Sequence, residues 1–376
     1  MIIYSILLFA SLGLGYLLKA NESDSAKKTY MLIMWGAMLI LSAVRAPTVG
    51  IDTMYFSRHF LAINAGAESR LEGGFVLFSR ALGFISSDPQ ILIIVSSIII
   101  FAAAGRFVYL NSQDVVLSTF LFISMRFFFL YMNMMRQAIA IAIILIGYEF
   151  LKKRKDLWFC VFVFLASTFH FAAVVVLPLV LFRRVKFSKL TYVLSALIAV
   201  VIYLNASAIF GFAAELHPRV GLYLGSVFDR TTLIASQMYA AVYFIIVTFA
   251  AAVMYRTRIT AEQESKYIKN VKSAVQYLGF MENDDFRTRS HFYVFAMVIC
   301  FFMAVMTVHA LIFHRIVEYF EVWLLLLIPQ TIMCIQNVRN RHIIYAFVIA
   351  LGIFHFYITL IFRPWWDGIL PYTAFF

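Results

Sequence analysis

The sequence predicts an all-α polytopic integral membrane protein, and three observations predict it. Of its 376 residues, 63% are hydrophobic and 13% charged, with a mean hydropathy of +0.89; no soluble domain covers that much apolar surface. Apolar runs long enough to span a bilayer recur along the whole chain. Lysines are confined to a few short segments between those runs, which is how cytoplasmic loops behave under the positive-inside rule.

The runs lie near 2–19, 30–44, 90–109, 115–131, 135–151, 189–206, 236–255, 291–312, 319–336 and 342–361. The first has no basic segment before it and no small-residue cleavage site after it, so a retained helix is expected rather than a signal peptide. The stretch 156–182 is shorter than two full spans and turns at TFHFAA, which predicts a tight hairpin of two short helices. One further run, GGFVLFSRALGFIS at 73–86, carries Arg80 and is decided by charge. If it crossed, the KKRK segment at 152–155 would fall outside while Lys27 and Lys28 stayed inside. If it lies on the outer face, the lysines at 19, 27 and 28 and those of 152–155, 183–189 and 256–290 all become cytoplasmic together. The expectation is therefore about twelve transmembrane helices, both termini outside, and a re-entrant or interfacial helix at 73–86. Residues 1–376 then form a single transmembrane domain, with outer loops at 45–89 and 207–235 and a cytoplasmic loop at 256–290.

Several function classes drop out. A net charge of +12 would suit nucleic acid in a soluble chain, but here the cytoplasmic loops account for it and no nucleic-acid partner is expected. Cys160, Cys300 and Cys334 sit inside apolar runs without a CxxC, so neither a disulfide framework nor a metal site is expected. P-loop, HExxH, GxSxG and DxD patterns are absent. That argues against ATP-driven transport, intramembrane metalloproteolysis and cytoplasmic nucleotide-sugar chemistry. No cofactor is expected. The acids are scattered without ligand spacing, so metal is not required.

On this topology the cytoplasmic side holds 11 Lys and 10 Arg. The outer side holds Arg45, Arg58, Arg70, Arg80, Arg126, Arg136, Arg219, Arg230, Arg315 and Arg363, and no lysine. Arginine's planar fork donates two parallel hydrogen bonds to phosphate or carboxylate and stays charged when partly desolvated. A face that gathers arginine and excludes lysine suits anion binding.

Arg126, in SMRFFFLY, is expected about a turn below the outer end of its helix, and Arg136 in the first outer turn of the next. An ionisable group at that depth is a functional candidate by default. Asn133, Arg136 and Gln137 fall at i, i+3 and i+4 and are expected to share one helical face, near a helix N-terminus that favours an anion. Arg315, Glu318 and Tyr319 repeat the spacing in HRIVEYFE, with an intrahelical Arg315–Glu318 ion pair as the plainer reading. In the first outer loop, RAPTVGIDTMYF, Arg45 ends a helix and Asp52 and Tyr55 follow a Pro–Gly turn. Glu72 precedes the run at 73–86, and His170 lies in the turn of the short hairpin. Asp52 and Glu72 are candidates for proton abstraction or for orienting an arginine, against the plainer reading of helix caps. His170 is a further candidate base, against that of a satisfied structural histidine.

The segments RAPTVGIDTMYF, EGGF, NMMRQAIAIAIILIGYEFL, FHFAAVVVLPLVLF and RIVEYF, and Pro371–Tyr372 near the end, occur in an order that resembles the EpsG/Wzy-type family of bacterial polysaccharide polymerases. The resemblance implies a GT-C-like, inverting glycosyltransferase of the bacterial inner membrane, with its active site facing the periplasm. Such an enzyme transfers a growing O-antigen, exopolysaccharide or capsule chain from undecaprenyl pyrophosphate onto the next lipid-linked repeat unit. Its partners would be that lipid-linked oligosaccharide, the bilayer, and the flippase and chain-length regulator of the same pathway. Arg45, Arg126, Arg136 and Arg315 are then candidates to stabilise the pyrophosphate, and Asp52, Glu72 and His170 to accept the proton of the acceptor hydroxyl.

A lipid-linked oligosaccharide flippase would share the arginines but needs charge along a central path. Here the charges at membrane depth cluster toward the outer half. A membrane O-acetyltransferase would need a cytoplasm-facing histidine, and the cytoplasmic loops hold only His291 and His342 at helix ends. A related glycan ligase shares every feature used above.

Overall fold

The computed structural model describes residues 1–182, 189–205, 208, 211–212, 215, 233–267, 284–307 and 313–376. Every regular element among them is helical, as the apolar runs predict. In chain order these are α1 (Ile2–Leu17), α2 (Asp24–Ala43), α3 (Thr53–Asn64), α4 (Gly73–Gly83), α5 (Gln90–Asn111), α6 (Val115–Ser124), α7 (Phe127–Asn133), α8 (Met135–Lys152), α9 (Asp156–Ser167), a 3-10 helix (Phe171–Val176) and α10 (Leu179–Phe182). They continue as α11 (Lys189–Leu204), α12 (Leu233–Tyr267), α13 (Asp284–Met306), α14 (Phe313–Glu321), α15 (Leu324–Met333) and α16 (Val338–Phe362). Arg219 and Arg230, expected on the outer side, most of the 207–235 loop, and residues 183–188 and 268–283 of the lysine-bearing loops lie outside the described residues.

Among the described residues three helices are long and apolar enough to cross a bilayer: α5, the Gln237–Met254 part of α12, and α16. The count reaches five if two bent pairs are each one span: α6 with α7, bent by 56°, and α14 with α15, bent by 45°. Shorter apolar helices include α1 and α9. The chain is thus a helical membrane protein. The 11-residue α4 covers about 16 Å at 1.5 Å per residue, against roughly 30 Å of hydrocarbon. Its length suits the interfacial helix expected there. Within the stretch 156–182, where a hairpin is expected, α9 packs against the 3-10 helix, and α10 falls in the second of the chain's two compact units.

Two expectations of continuity are corrected. The run at 115–131 is not one helix: it breaks at Arg126, where φ is 72°, and again at Met134, where φ is −86° and ψ 58°. Asn133 therefore ends α7 while Arg136 and Gln137 begin α8, and the three do not share a helical face. The run at 319–336 likewise starts earlier, at Phe313, and bends between α14 and α15.

The chain divides into two compact units, Met1–Leu177 with Arg339–Phe376, and Pro178–Val338. The first unit has two chemically distinct ends. At one, Asn21 donates to Asp114 at 2.8 Å, Tyr109 donates to Asp24 at 2.8 Å, and Lys152 reaches Asn111 at 2.6 Å and Glu149 at 2.9 Å. Those contacts gather the α1–α2 turn, the end of α5 and the end of α8, and with them Lys19, Lys27, Lys28 and Lys152. At the other end Gln90, which opens α5, donates to Ala43 O at 2.8 Å and Arg45 O at 3.1 Å. Arg45 and, through Asn133, Asp52 belong to that end. Helix direction thus gathers the unit's lysines at one end, together with Arg154 of the KKRK segment, without reference to a membrane.

In the second unit α13 packs against α12, α14 and α15. Trp323 receives the rings of Phe292 and Tyr293, with centroids 5.0 and 6.1 Å away. Glu318 and Tyr319 are buried and Arg315 is half-buried. The His314 ring lies 5.5 Å from that of Tyr239.

Candidate functional site

The site of the first unit is built around α7, a seven-residue helix with a break at each end. A broken helix in an apolar environment leaves backbone polar groups that must be satisfied by neighbouring protein. At the first break, Ser124 O accepts from Nδ1 of His355 on α16 at 2.8 Å. A carbonyl only accepts, so the proton of this imidazole sits on Nδ1. At the second break, Met132 O accepts from Arg45 Nη2 at 2.7 Å, and Asn133 Oδ1 accepts from the backbone N–H of Asp52 at 2.8 Å.

Arg126 occupies the first break in the left-handed region. A non-glycine residue there costs on the order of 1 kcal/mol and persists where its surroundings hold it. They do. Its Nε donates to Asp367 Oδ2 at 3.0 Å and its Nη2 to Oδ1 at 2.8 Å. The two side chains are 13% and 4% exposed. The ring of Trp366 lies 5.0 Å from Arg126 Cζ, and the Arg363 guanidinium also sits over that ring.

Asp367 arrives on a C-terminal strap that runs antiparallel to the first loop. Ala46 N donates to Thr373 O at 2.9 Å, Gly50 N to Gly368 O at 2.8 Å, and Ile51 N to Asp367 O at 3.3 Å. Tyr372 OH fastens the strap to Leu41 O at 2.9 Å, and Tyr4 OH donates to Ile369 O at 3.2 Å. Two glycines permit the approach. Gly50 has φ +98°, and a Cβ on it would meet Thr53 Oγ1 at 2.6 Å. Gly368 has φ +60°, and its Cβ would meet Ile51 Cγ1 at 2.9 Å.

Arg45 is 2% exposed. Besides Met132 O it donates to Ser42 O, to Ser42 Oγ at 2.7 Å and to Ser97 Oγ at 3.2 Å, so it ties together α2, α5 and the end of α7. Its acceptors are neutral oxygens, and burial lowers its pKa to about 10. It therefore stays cationic at neutral pH.

Glu72 and Arg136 form the second carboxylate–guanidinium pair, through Glu72 Oε2 and Arg136 Nη1. Their side chains are 12% and 22% exposed. The Arg136 guanidinium lies 5.4 Å from the ring of Phe56 on α3, and its Nε–H is buried without an acceptor among the described residues. The start of α4 is held by the hairpin turn. Gly74 N donates to Thr168 O at 2.9 Å, and a Cβ on Gly74 would meet that oxygen at 2.8 Å. His170, two residues on, is half-buried and opens the 3-10 helix. Gln137 is buried beside Arg136. Neither Asp52 nor Glu72 caps its helix through its side chain, which removes the plain capping reading for both. Tyr55 is exposed, its ring 4.0 Å from that of His59.

Contacts through α7, Phe56 and the hairpin turn thus link the elements carrying Arg45, Asp52, Glu72, Arg126, Arg136, Gln137 and His170. Arg315, Glu318 and Tyr319 belong to the other unit. Three participants were not singled out from sequence: Asp367, Trp366 and His355. A signal existed for the first two, because WWDG at 365–368 follows the last span on the side that carries the arginines. An acid among arginines expected on one side is itself a candidate partner for them. His355 had no signal, since a helix break far away in sequence gives it its partner. Among the described residues no group of three His, Cys, Asp or Glu is arranged to hold a metal ion.

This arrangement can grip an anion and accept a proton beside it. Two guanidinium groups on either side of α7 are each oriented by a carboxylate. A third carboxylate, Asp52, is held by its backbone at the end of the same short helix. A family model, that of the EpsG family, matches residues 28–374 of the chain. No curated protein and no solved structure matches it.

Proposed function

Because the chain belongs to the EpsG family, we propose that it is a polysaccharide polymerase of the bacterial inner membrane. It transfers a growing glycan from undecaprenyl pyrophosphate onto a lipid-linked repeat unit at the outer face. Family membership and the helical membrane architecture point to polysaccharide-polymerase chemistry in a membrane. The finer reading rests on one observation above all: Arg136, oriented by Glu72 and stacked on Phe56, keeps a buried Nε–H that no atom of the described residues accepts. A pyrophosphate oxygen would satisfy it.

In this reading Arg136 and Arg126 stabilise the charge that develops on the leaving pyrophosphate. Pyrophosphate is already a good leaving group, so no general acid is needed. The acceptor hydroxyl needs a base within hydrogen-bond reach. Glu72 holds Arg136, and taking a proton would break that pair, so it serves as the orienting acid. Asp52 is the base, and His170 lines the same side. Arg45 shapes the break rather than touching substrate. Gln137 and Tyr55 flank the acceptor, and Arg315, Glu318 and Tyr319 are further substrate-binding candidates. Inversion at the anomeric carbon follows from a single direct displacement, and no metal is required. The chain has about twelve spans of GT-C-like arrangement, with α4 lying along the outer face.

Two experiments test this. Deleting the gene and sizing the surface glycan is expected to leave single repeat units on lipid. Accumulation on the cytoplasmic leaflet would instead indicate a flippase, and full-length polymer that stays on its lipid carrier a ligase. For topology, a cysteine placed at Asp88 or near Arg219 is expected to react with an impermeant reagent from outside, and one at Lys266 to be protected. Protection at 88 with labelling at 266 would mean that 73–86 spans and that the arginines do not face outward.

A further inference from the structure

We propose that Asp367 is a positioning residue for the polymerase reaction, setting the plane and direction of the Arg126 guanidinium toward the anionic leaving group. The inference rests on reading Arg126 as part of the anion grip. Several independent observations carry it. The contact is bidentate, Nε to Oδ2 at 3.0 Å and Nη2 to Oδ1 at 2.8 Å, which fixes both the plane and the in-plane rotation of the guanidinium. The Trp366 ring at 5.0 Å fixes the group from its face. Asp367 is 3% exposed, and a buried carboxylate is retained where it is paired. Arg126 itself stands at a left-handed backbone position, so its side chain leaves the broken helix in a direction that a continuous helix would not allow.

The strap supplies a second link. The residue whose carboxylate holds Arg126 also accepts, through its carbonyl, the backbone N–H of Ile51 at 3.3 Å. Ile51 precedes Asp52, whose own N–H is held by Asn133 at the far end of α7. Asp367 therefore joins the arginine at one break to the loop carrying the proposed base at the other. A small displacement of the strap would move the anion grip and the base relative to each other. Misplacement of a reacting group by about 1 Å can cost on the order of a hundredfold in rate. That makes the C-terminal WWDG segment part of the reaction machinery, although Asp367 lies 241 residues from Arg126 in sequence.

The test measures how fast accumulated single repeat units are converted to polymer when each variant is induced in the deletion strain, normalised to the amount of protein in the membrane. Asp367→Glu keeps the charge and the ion pair but lengthens the arm by one methylene. It is expected to lose about tenfold in rate per molecule, from a displacement of the size that matters for reacting groups. Asp367→Asn is expected to lose about ten- to hundredfold. If the pair only fastens the strap, Asp367→Glu would run at the wild-type rate, and that result overturns the inference. Should Asp367→Asn fail to accumulate, the rate of Asp367→Glu decides alone. Arg126→Gln separates this inference from the reading beneath it. A wild-type rate in Arg126→Gln removes Arg126 from the anion grip whatever Asp367 does. An inactive Arg126→Gln beside a fully active Asp367→Glu removes the positioning role and leaves the grip.

Discussion

Asp52→Asn is expected to slow polymerisation by about a hundred- to ten-thousandfold, the range a positioned general base contributes, while the protein remains in the membrane at near-normal amounts. The structure separates the two effects. The Asp52 side chain does not cap α3, and the residue is held through its backbone N–H by Asn133 Oδ1. Asparagine has the same shape and keeps that N–H, so the loop should keep its course. It cannot take a proton. The measurement is glycan ladder length and rate of growth from membranes containing equal amounts of each variant. Glu72→Gln should also impair polymerisation, but through Arg136, whose guanidinium would lose its charged partner. Should Asp52→Asn, Glu72→Gln and His170→Ala all build full-length chains, no side-chain base of this set operates.

Arg136→Lys is expected to lose about ten- to hundredfold in rate although the charge is kept. A lost charge-assisted contact costs roughly 1.5–3 kcal/mol, and a contact made in the transition state converts to rate at about tenfold per 1.4 kcal/mol. A lysine ammonium could still reach the Glu72 carboxylate, so a purely structural ion pair would survive the change. It cannot present parallel donors to a pyrophosphate, stack as a plane on Phe56, or supply the Nε–H that is buried without an acceptor among the described residues. Normal-length chains from this variant would reduce Arg136 to anchorage, a role that lysine fills about as well.

Much of the site was legible before the fold. The arginines at 126 and 136 stood out because charge within an apolar run is costly, and they flank α7, Arg126 at its start and Arg136 in the first turn of α8. Glu72 was legible as an acid at the head of a short apolar helix, where it orients Arg136. What failed was the assumption of continuity. Nothing in MRFFFLYMNMMRQ announces two breaks: there is no proline and no glycine, and phenylalanine and methionine are compatible with helix. The breaks persist because His355 and Arg45 donate to the carbonyls of Ser124 and Met132, while Asp367 holds the Arg126 side chain and Asn133 holds the N–H of Asp52. Arg45 shows the reverse error. In sequence it is one more outer arginine, yet it is buried with its hydrogen bonds directed at the interior.

Composition and the order of apolar runs were sufficient for a helical membrane chain, because hydrophobic burial is additive along the sequence and needs no knowledge of neighbours. The lysine clusters were sufficient for two chemically different ends, since a helix carries its terminal charges to fixed places once its direction is known. Family membership was also readable from short motifs in order. Which arginines grip and which fasten was not. That depends on hydrogen bonds closed between residues far apart, such as Arg126 with Asp367 and Arg45 with Met132. Such bonds are directional and are worth forming only when both partners are already buried at the right distance. Their geometry is a property of the packed molecule, set where the C-terminal strap meets the first loop.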